Sequence, residues 1–176
     1  LDQILLIYHS YKLYLTMIKE PGYRLNVGLI VINHKGKLLL CKRKNSNNWQ
    51  FPQGGIDHNE EPRDAAIREL YEEVGIKSSE IKEIAISDKW YKYDLPEGTI
   101  KKNFFNNRFK GQKQKWFMFE LIKEAKIDFT IDINPEFDEF IWCSYWYPLS
   151  AIVEFKKEVY RSVLNEFCMA SIKRYL

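Results

Sequence analysis

The chain has 176 residues, a formal net charge of +3, and 45% hydrophobic and 15% aromatic residues. That length and apolar fraction allow one domain with a sizeable core and exclude a disordered chain. The charge is too mild to mark a nucleic-acid binder by itself, and three cysteines without metal-type spacing (Cys41, Cys143, Cys168) fit buried free thiols in a reducing cytosol.

In chain order, "LDQILLIYHSYKLYLT" is apolar but too short for a membrane span, and His9, Tyr11 and Lys12 break it. It lacks the charged start and the small-residue cleavage site of a signal peptide. Met17 follows directly, so residues 1–16 are expected to be a non-native or mis-called extension, with an added amphipathic helix as the alternative. Residues 17–176 are then a single domain. "NVGLIVI" (26–32) and "KLLLCKR" (37–43) read as strands joined by a turn at "NHKG". Residues 45–55, polar and then rich in Pro and Gly, read as a loop. Pro62 suits a first helical turn and Gly75 a C-terminal cap, so "RDAAIRELYEEV" between them is a helix with Ile67, Leu70 and Val74 as its apolar stripe.

Further on, 83–93 contains a strand, 114–122 is another, and "KIDFTI" (126–131) and "EFIWCSYW" (139–146) are two more. From Ser150 the periodicity is helical, with Ile152, Phe155, Val159, Val163 and Phe167 as the stripe. Strands do not alternate regularly with helices, so a mixed sheet sandwiched by helices is the expected α/β architecture. Between Lys89 and Lys115 eight basic residues face two acidic ones, a local net of +6 that either attracts a polyanion or is a solvated loop.

The helix carries a conflict. Glu69, Glu72 and Glu73 stand at offsets of zero, three and four, so they share one face, and like charges at that spacing destabilise a helix. That face lies roughly 130° from the apolar stripe at about 100° per residue. A solvated acidic surface is one explanation. A cation is the other: oxygen-only ligands on a rigid face suit Mg²⁺ or Mn²⁺, which keep waters for substrate phosphates. Arg68 is placed to pair with Glu72 one turn on or to reach back to Glu60, holding a carboxylate in orientation.

The run Gly54, five residues, Glu60, seven residues, then Arg68-Glu69-Leu70-Tyr71-Glu72-Glu73-Val74-Gly75-Ile76 resembles the Nudix box at all of its defining positions. "GYRLNVGLIVIN", "WQFPQGGI", "GQKQKWF", "PEFDEFIW" and "YWYPLSAIVEFKKEVYR" extend the resemblance to the bacterial RNA pyrophosphohydrolase family, from about Gly22 to the C-terminal helix. "WQFPQGG" and "GQKQKWF" are shared with the related dinucleoside tetraphosphate hydrolases. The resemblance implies a Nudix-fold α/β/α sandwich that removes pyrophosphate from the 5′-triphosphate end of RNA and so promotes mRNA decay. It implies Mg²⁺ or Mn²⁺, more than one ion once substrate is bound, held by Glu69, Glu72, Glu73, a loop carbonyl at Gln53 or Gly54, and Glu136 of "PEFD".

Glu69 is expected as the general base, with Glu136 the alternative. Arg24, Arg43, Asn48, Tyr93 and Lys115 are expected around the phosphates, and Val153, Phe155 and Lys156 around the second RNA base. For Phe155, stacking on a base and core packing at helical spacing remain equal alternatives. The implied partner is a single-stranded 5′-triphosphorylated RNA end, handled by a cytoplasmic monomer with no membrane contact. The competing functions are a dinucleoside polyphosphate hydrolase and a non-catalytic module that binds nucleotides or RNA.

Overall fold

A computed structural model describes residues 20–97 and 109–173. The N-terminal extension with Met17, and Lys101, Lys102 and Arg108 of the basic stretch, lie outside the described residues. Strands β1 (Tyr23–Ile32), β2 (Leu38–Arg43), β3 (Trp49–Gln50) and β4 (Gln53–Gly55) precede helix α1 (Pro62–Val74). Then come β5 (Ile81–Ile86), β6 (Tyr91–Asp94), β7 (Gly111–Leu121) and β8 (Phe137–Cys143). A short helix α2 (Pro148–Ala151) and a long helix α3 (Lys157–Lys173) close the chain.

The eight strands form one mixed sheet with central order β3-β2-β1-β7-β5; β4 pairs with β1, β6 with β7 and β8 with β2. The pair β1–β7 is parallel, running from Tyr23↔Gly111 to Ile32↔Glu120, and the other pairs are antiparallel. Both faces of β1 are covered, which is why it reads as a nearly continuous apolar run. Val27, Leu29 and Val31 pack with Leu70, Val74 and Ile76 on the α1 side. Ile30 and Ile32 pack with Trp116, Tyr160, Val163 and Phe167 on the α3 side. The expected mixed sheet between helical layers is therefore the architecture found. Cys41 and Cys143 are buried and Cys168 is half-buried, all as free thiols. Among the described residues no helix is long and apolar enough to cross a membrane.

Helix α1 begins at Pro62 and ends where Gly75 adopts φ +76°, its N–H donating to the Tyr71 carbonyl at 2.9 Å. Its buried face is Ala65, Ala66, Leu70 and Val74; Ile67, expected in the stripe, is half-buried.

Three element expectations are corrected. Residues 45–55 are not all loop: Gln50 pairs with Cys41, and Gln53–Gly55 run beside β1. Residues 126–131 are not a strand, because Asp128 Oδ1 accepts from the Thr130 N–H and hydroxyl and turns the chain. The C-terminal helix is not continuous from Ser150: Ile152 and Val153 are extended, and a 3-10 turn at Glu154–Lys156 precedes α3. That break takes Phe155 off the buried stripe and leaves it exposed.

Gly28, inside a central strand, answers to Trp116. A Cβ there would come within 2.5 Å of the indole, which is itself fully buried. Gly28→Ala is expected to destabilise by about 1–3 kcal/mol, the usual cost of overpacking. At about 2–4 °C per kcal/mol for this size, a thermal melt should show a Tm drop of roughly 2–12 °C.

Candidate active site

The acidic face of α1 lies against β4. Gln53 donates its N–H to Glu73 Oε2 at 2.8 Å, and Gly54 lies directly over Glu69, where a Cβ would fall 1.7 Å from Cδ. The register explains which loop carbonyl is left over. Val27↔Gly54 lies between the bonds Leu29 N–H to Pro52 O and Ile56 N–H to Leu25 O, so Gly54 is the hydrogen-bonded partner of Val27. The carbonyl of Gln53, on the α1 side of the ladder with its own N–H, is not spent on β1.

Arg68 ties the acidic face together. Its Nε and Nη2 donate to Glu60 at 2.8 Å each, its Nη1 to Glu69 at 2.8 Å and Glu72 at 2.9 Å, and its Nη2 also to the Gly55 carbonyl at 2.9 Å. The fork holds the Glu60 carboxyl below its usual range. Both expected partners, Glu60 and Glu72, are thus engaged at once, and Glu69 as well.

Glu136 arrives from the start of β8, where its exposed carboxylate meets Arg43 Nη2 at 3.3 Å. Among the described residues no three carboxylates share one ready-made coordination point. Each is held by a protein partner instead: Glu69 and Glu72 by Arg68, Glu73 by Gln53, Glu136 by Arg43. The donor chemistry fits a hard divalent cation all the same. Burial drives the Glu73 carboxyl well above its ordinary range, and the charges of Glu136 and Glu69 add to it. Burial also raises Glu69, against the pull of Arg68. A pocket of oxygen ligands with surplus negative charge is what a divalent cation stabilises.

Beside the carboxylates opens a cleft of about 530 Å³. Seven of the eight expected substrate contacts line it: Arg24, Arg43 and Asn48 on one part, Tyr93, Val153, Phe155 and Lys156 on the other. The Phe155 ring is exposed at the cleft and lies 5.6 Å from Tyr93. Lys115 is the eighth and does not join them. Its Nζ turns to the Asp88 carbonyl at 3.4 Å, near Glu166, away from the cleft. A second hollow of about 600 Å³ lies beyond Arg24, against Glu20, Tyr23 and His58; it holds none of the glutamates discussed above.

Lys156 is buried on the cleft floor. Its Nζ donates to Gln50 Oε1 and Gln53 Oε1 at 3.0 Å each, and burial, with Arg43 nearby, lowers its pKa to about 7. Around it are polar residues that sequence reasoning missed: Gln50, Gln112, Gln114 and Asn26. The only signal for them was the two-residue spacing of Gln112 and Gln114 in "GQKQKWF", which puts both on one face of a strand.

The family described as NUDIX domain matches residues 22–164. An RNA pyrophosphohydrolase of Tolumonas auensis is 46% identical over 153 residues, covering 86% of this chain and 87% of the relative. That of Vibrio cholerae is 46% identical over 152 residues, covering 86% and 88%. Solved structures show the same fold. The Escherichia coli dihydroneopterin triphosphate pyrophosphohydrolase aligns with a TM-score of 0.64 at 15% identity, covering 82% of this chain and 98% of that one. A Caenorhabditis elegans Ap4A hydrolase aligns at 0.57 and 16% identity, covering 81% and 98%.

Proposed function

The chain belongs to the Nudix family, among the RNA pyrophosphohydrolases, and from that premise we propose that it hydrolyses the 5′-triphosphate end of RNA to a 5′-monophosphate, releasing pyrophosphate. The observation that carries the reading is the join between two surfaces. A cleft with exposed Phe155, Tyr93 and two arginines meets the carboxylates of Glu73 and Glu136 through Gln53 and Arg43. One surface suits an RNA end and the other its phosphates.

Glu69, Glu72, Glu73, Glu136 and the Gln53 carbonyl are the proposed holders of the divalent cation, Mg²⁺ or Mn²⁺. When bound, it neutralises the polyphosphate and polarises the attacking water. Arg68 keeps Glu69 and Glu72 oriented. Glu69 accepts the proton of the water, with Glu136 as the alternative base; Gly54 leaves room for the Glu69 carboxylate. Arg24 and Arg43 hold phosphate oxygens, Asn48 assists, and the second base of the RNA lies along Phe155 and Val153. The enzyme would act as a monomer in the bacterial cytoplasm, where exposure of a 5′-monophosphate leads the transcript to decay.

The test is a reaction on 5′-end-labelled triphosphorylated RNA with product identification, beside diadenosine tetraphosphate at equal concentration. The RNA is expected to give the higher kcat/KM, with pyrophosphate as product. A substantially higher value for the dinucleotide assigns the chain to dinucleoside polyphosphates instead. RNA binding without any hydrolysis assigns it a binding role.

A further inference from the structure

We propose that Gln112, assigned no role above, is a substrate-binding residue whose amide N–H₂ donates to a phosphate oxygen of the RNA end, and that Lys156 is the positioning residue that sets its direction. The inference rests on the function proposed above. Its basis is a chain of amides with one fixed end.

Lys156 Nζ donates to Gln50 Oε1 and Gln53 Oε1 at 3.0 Å each. The Gln53 oxygen therefore faces Lys156, and its Nε2 points the other way, to Gln112 Oε1 at 3.3 Å. That same oxygen of Gln112 accepts from the Tyr93 hydroxyl at 2.5 Å and lies 3.4 Å from Gln114 Nε2. Gln114 is fully buried and anchored by donating to Asn26 Oδ1 at 2.8 Å. With three donors on its oxygen, Gln112 has its nitrogen left, and among the described residues that nitrogen has no acceptor.

Position completes the case. Arg24, Gln112 and Tyr93 are register partners across three adjacent strands, β1, β7 and β6. All three line the cleft. A half-buried N–H₂ beside an exposed arginine is a site for an anionic oxygen, to which a neutral donor binds well. Had the amide faced the other way, it would present an oxygen and repel phosphate.

Steady-state kinetics on triphosphorylated RNA with Gln112→Ala and Gln112→Glu test both contact and direction. Gln112→Ala is expected to raise KM about tenfold, as for a lost hydrogen bond to a charged group, with kcat changed much less. Gln112→Glu, which sets a carboxylate against the phosphate, is expected to raise KM further. A wild-type KM for Gln112→Ala would overturn the contact, and a wild-type KM for Gln112→Glu would overturn the direction. Lys156→Met, measured alone and combined with Gln112→Ala, tests positioning. Its KM penalty should shrink once Ala stands at 112, and a penalty of equal size in both backgrounds overturns that role. An inactive wild type would instead count against the proposed reaction, so the two failures are told apart in one experiment.

Discussion

Glu73→Gln is expected to lower turnover on triphosphorylated RNA by at least about 10²-fold, more than the loss of an outer partner of a metal ligand costs. The same substitution should raise the Tm of the metal-free protein. Both follow from the carboxylate's position. Glu73 is driven well above its usual range by burial and by Glu136 and Glu69, with the Gln53 N–H as a partial counterweight. A carboxyl raised in the folded state costs the fold stability as pH climbs past its unfolded value of 4.5. An amide carries no charge and still accepts from Gln53. Melts in chelator at pH 5 and pH 8 should therefore show a gain for the variant that is larger at pH 8. Adding Mg²⁺ should stabilise the wild type more than the variant. Near-normal rates with Mg²⁺ would remove Glu73 from the metal site, and an unchanged metal-free Tm at both pH values would remove the repulsion.

Gly54→Ala should be nearly as severe although it removes no charged group. The new Cβ would lie 1.7–2.2 Å from the three carboxyl atoms of Glu69. Arg68 Nη1 holds that carboxylate at 2.8 Å, so displacing it strains the pair. Displacement of a reacting group by about 1 Å costs on the order of 10²-fold in rate. The expected result is that loss in kcat, with a rise in the Mg²⁺ concentration for half-maximal rate. Gly55→Ala is the contrast. Its Cβ would meet Arg24 Nη2 at 2.0 Å, the far end of a flexible side chain on the exposed side of the cleft. It should change mainly KM. Equal kcat losses from the two alanines would show that backbone distortion in β4, not Glu69, is at fault.

These contrasts locate what the sequence could carry. Helix α1 was legible to the residue because Pro62 and Gly75 have backbone reasons to stand at its ends. The shared face of Glu69, Glu72 and Glu73 followed from helical spacing alone. Arg68 was legible as a partner of Glu60 or Glu72, though its simultaneous hold on both, on Glu69 and on the Gly55 carbonyl was not, since the Gly55 carbonyl reaches it only through the fold. The amide network stayed hidden for two reasons. Uncharged glutamines carry no signature, and Asn26 meets Gln114 only through a strand register across 88 positions. At 126–131 alternation was present, but a local Asp128–Thr130 turn prevailed over it. Around Ile152 helical periodicity continued across a point where the backbone is extended, and the cleft needs that break to reach Phe155.

The parallel pairing of β1 with β7 has a consequence for synthesis. The stretch up to Ile76 contains every letter of the Nudix box, yet β1 at that stage lacks the neighbour that fills its other edge. Parallel strands far apart in sequence close slowly, because the loop between them must be ordered first. Lys156, which anchors Gln53, emerges later still. A nascent chain on the ribosome therefore carries the acidic helix without the floor beneath it. Hydrolysis of RNA ends has to wait until Lys156 has emerged and reached Gln53.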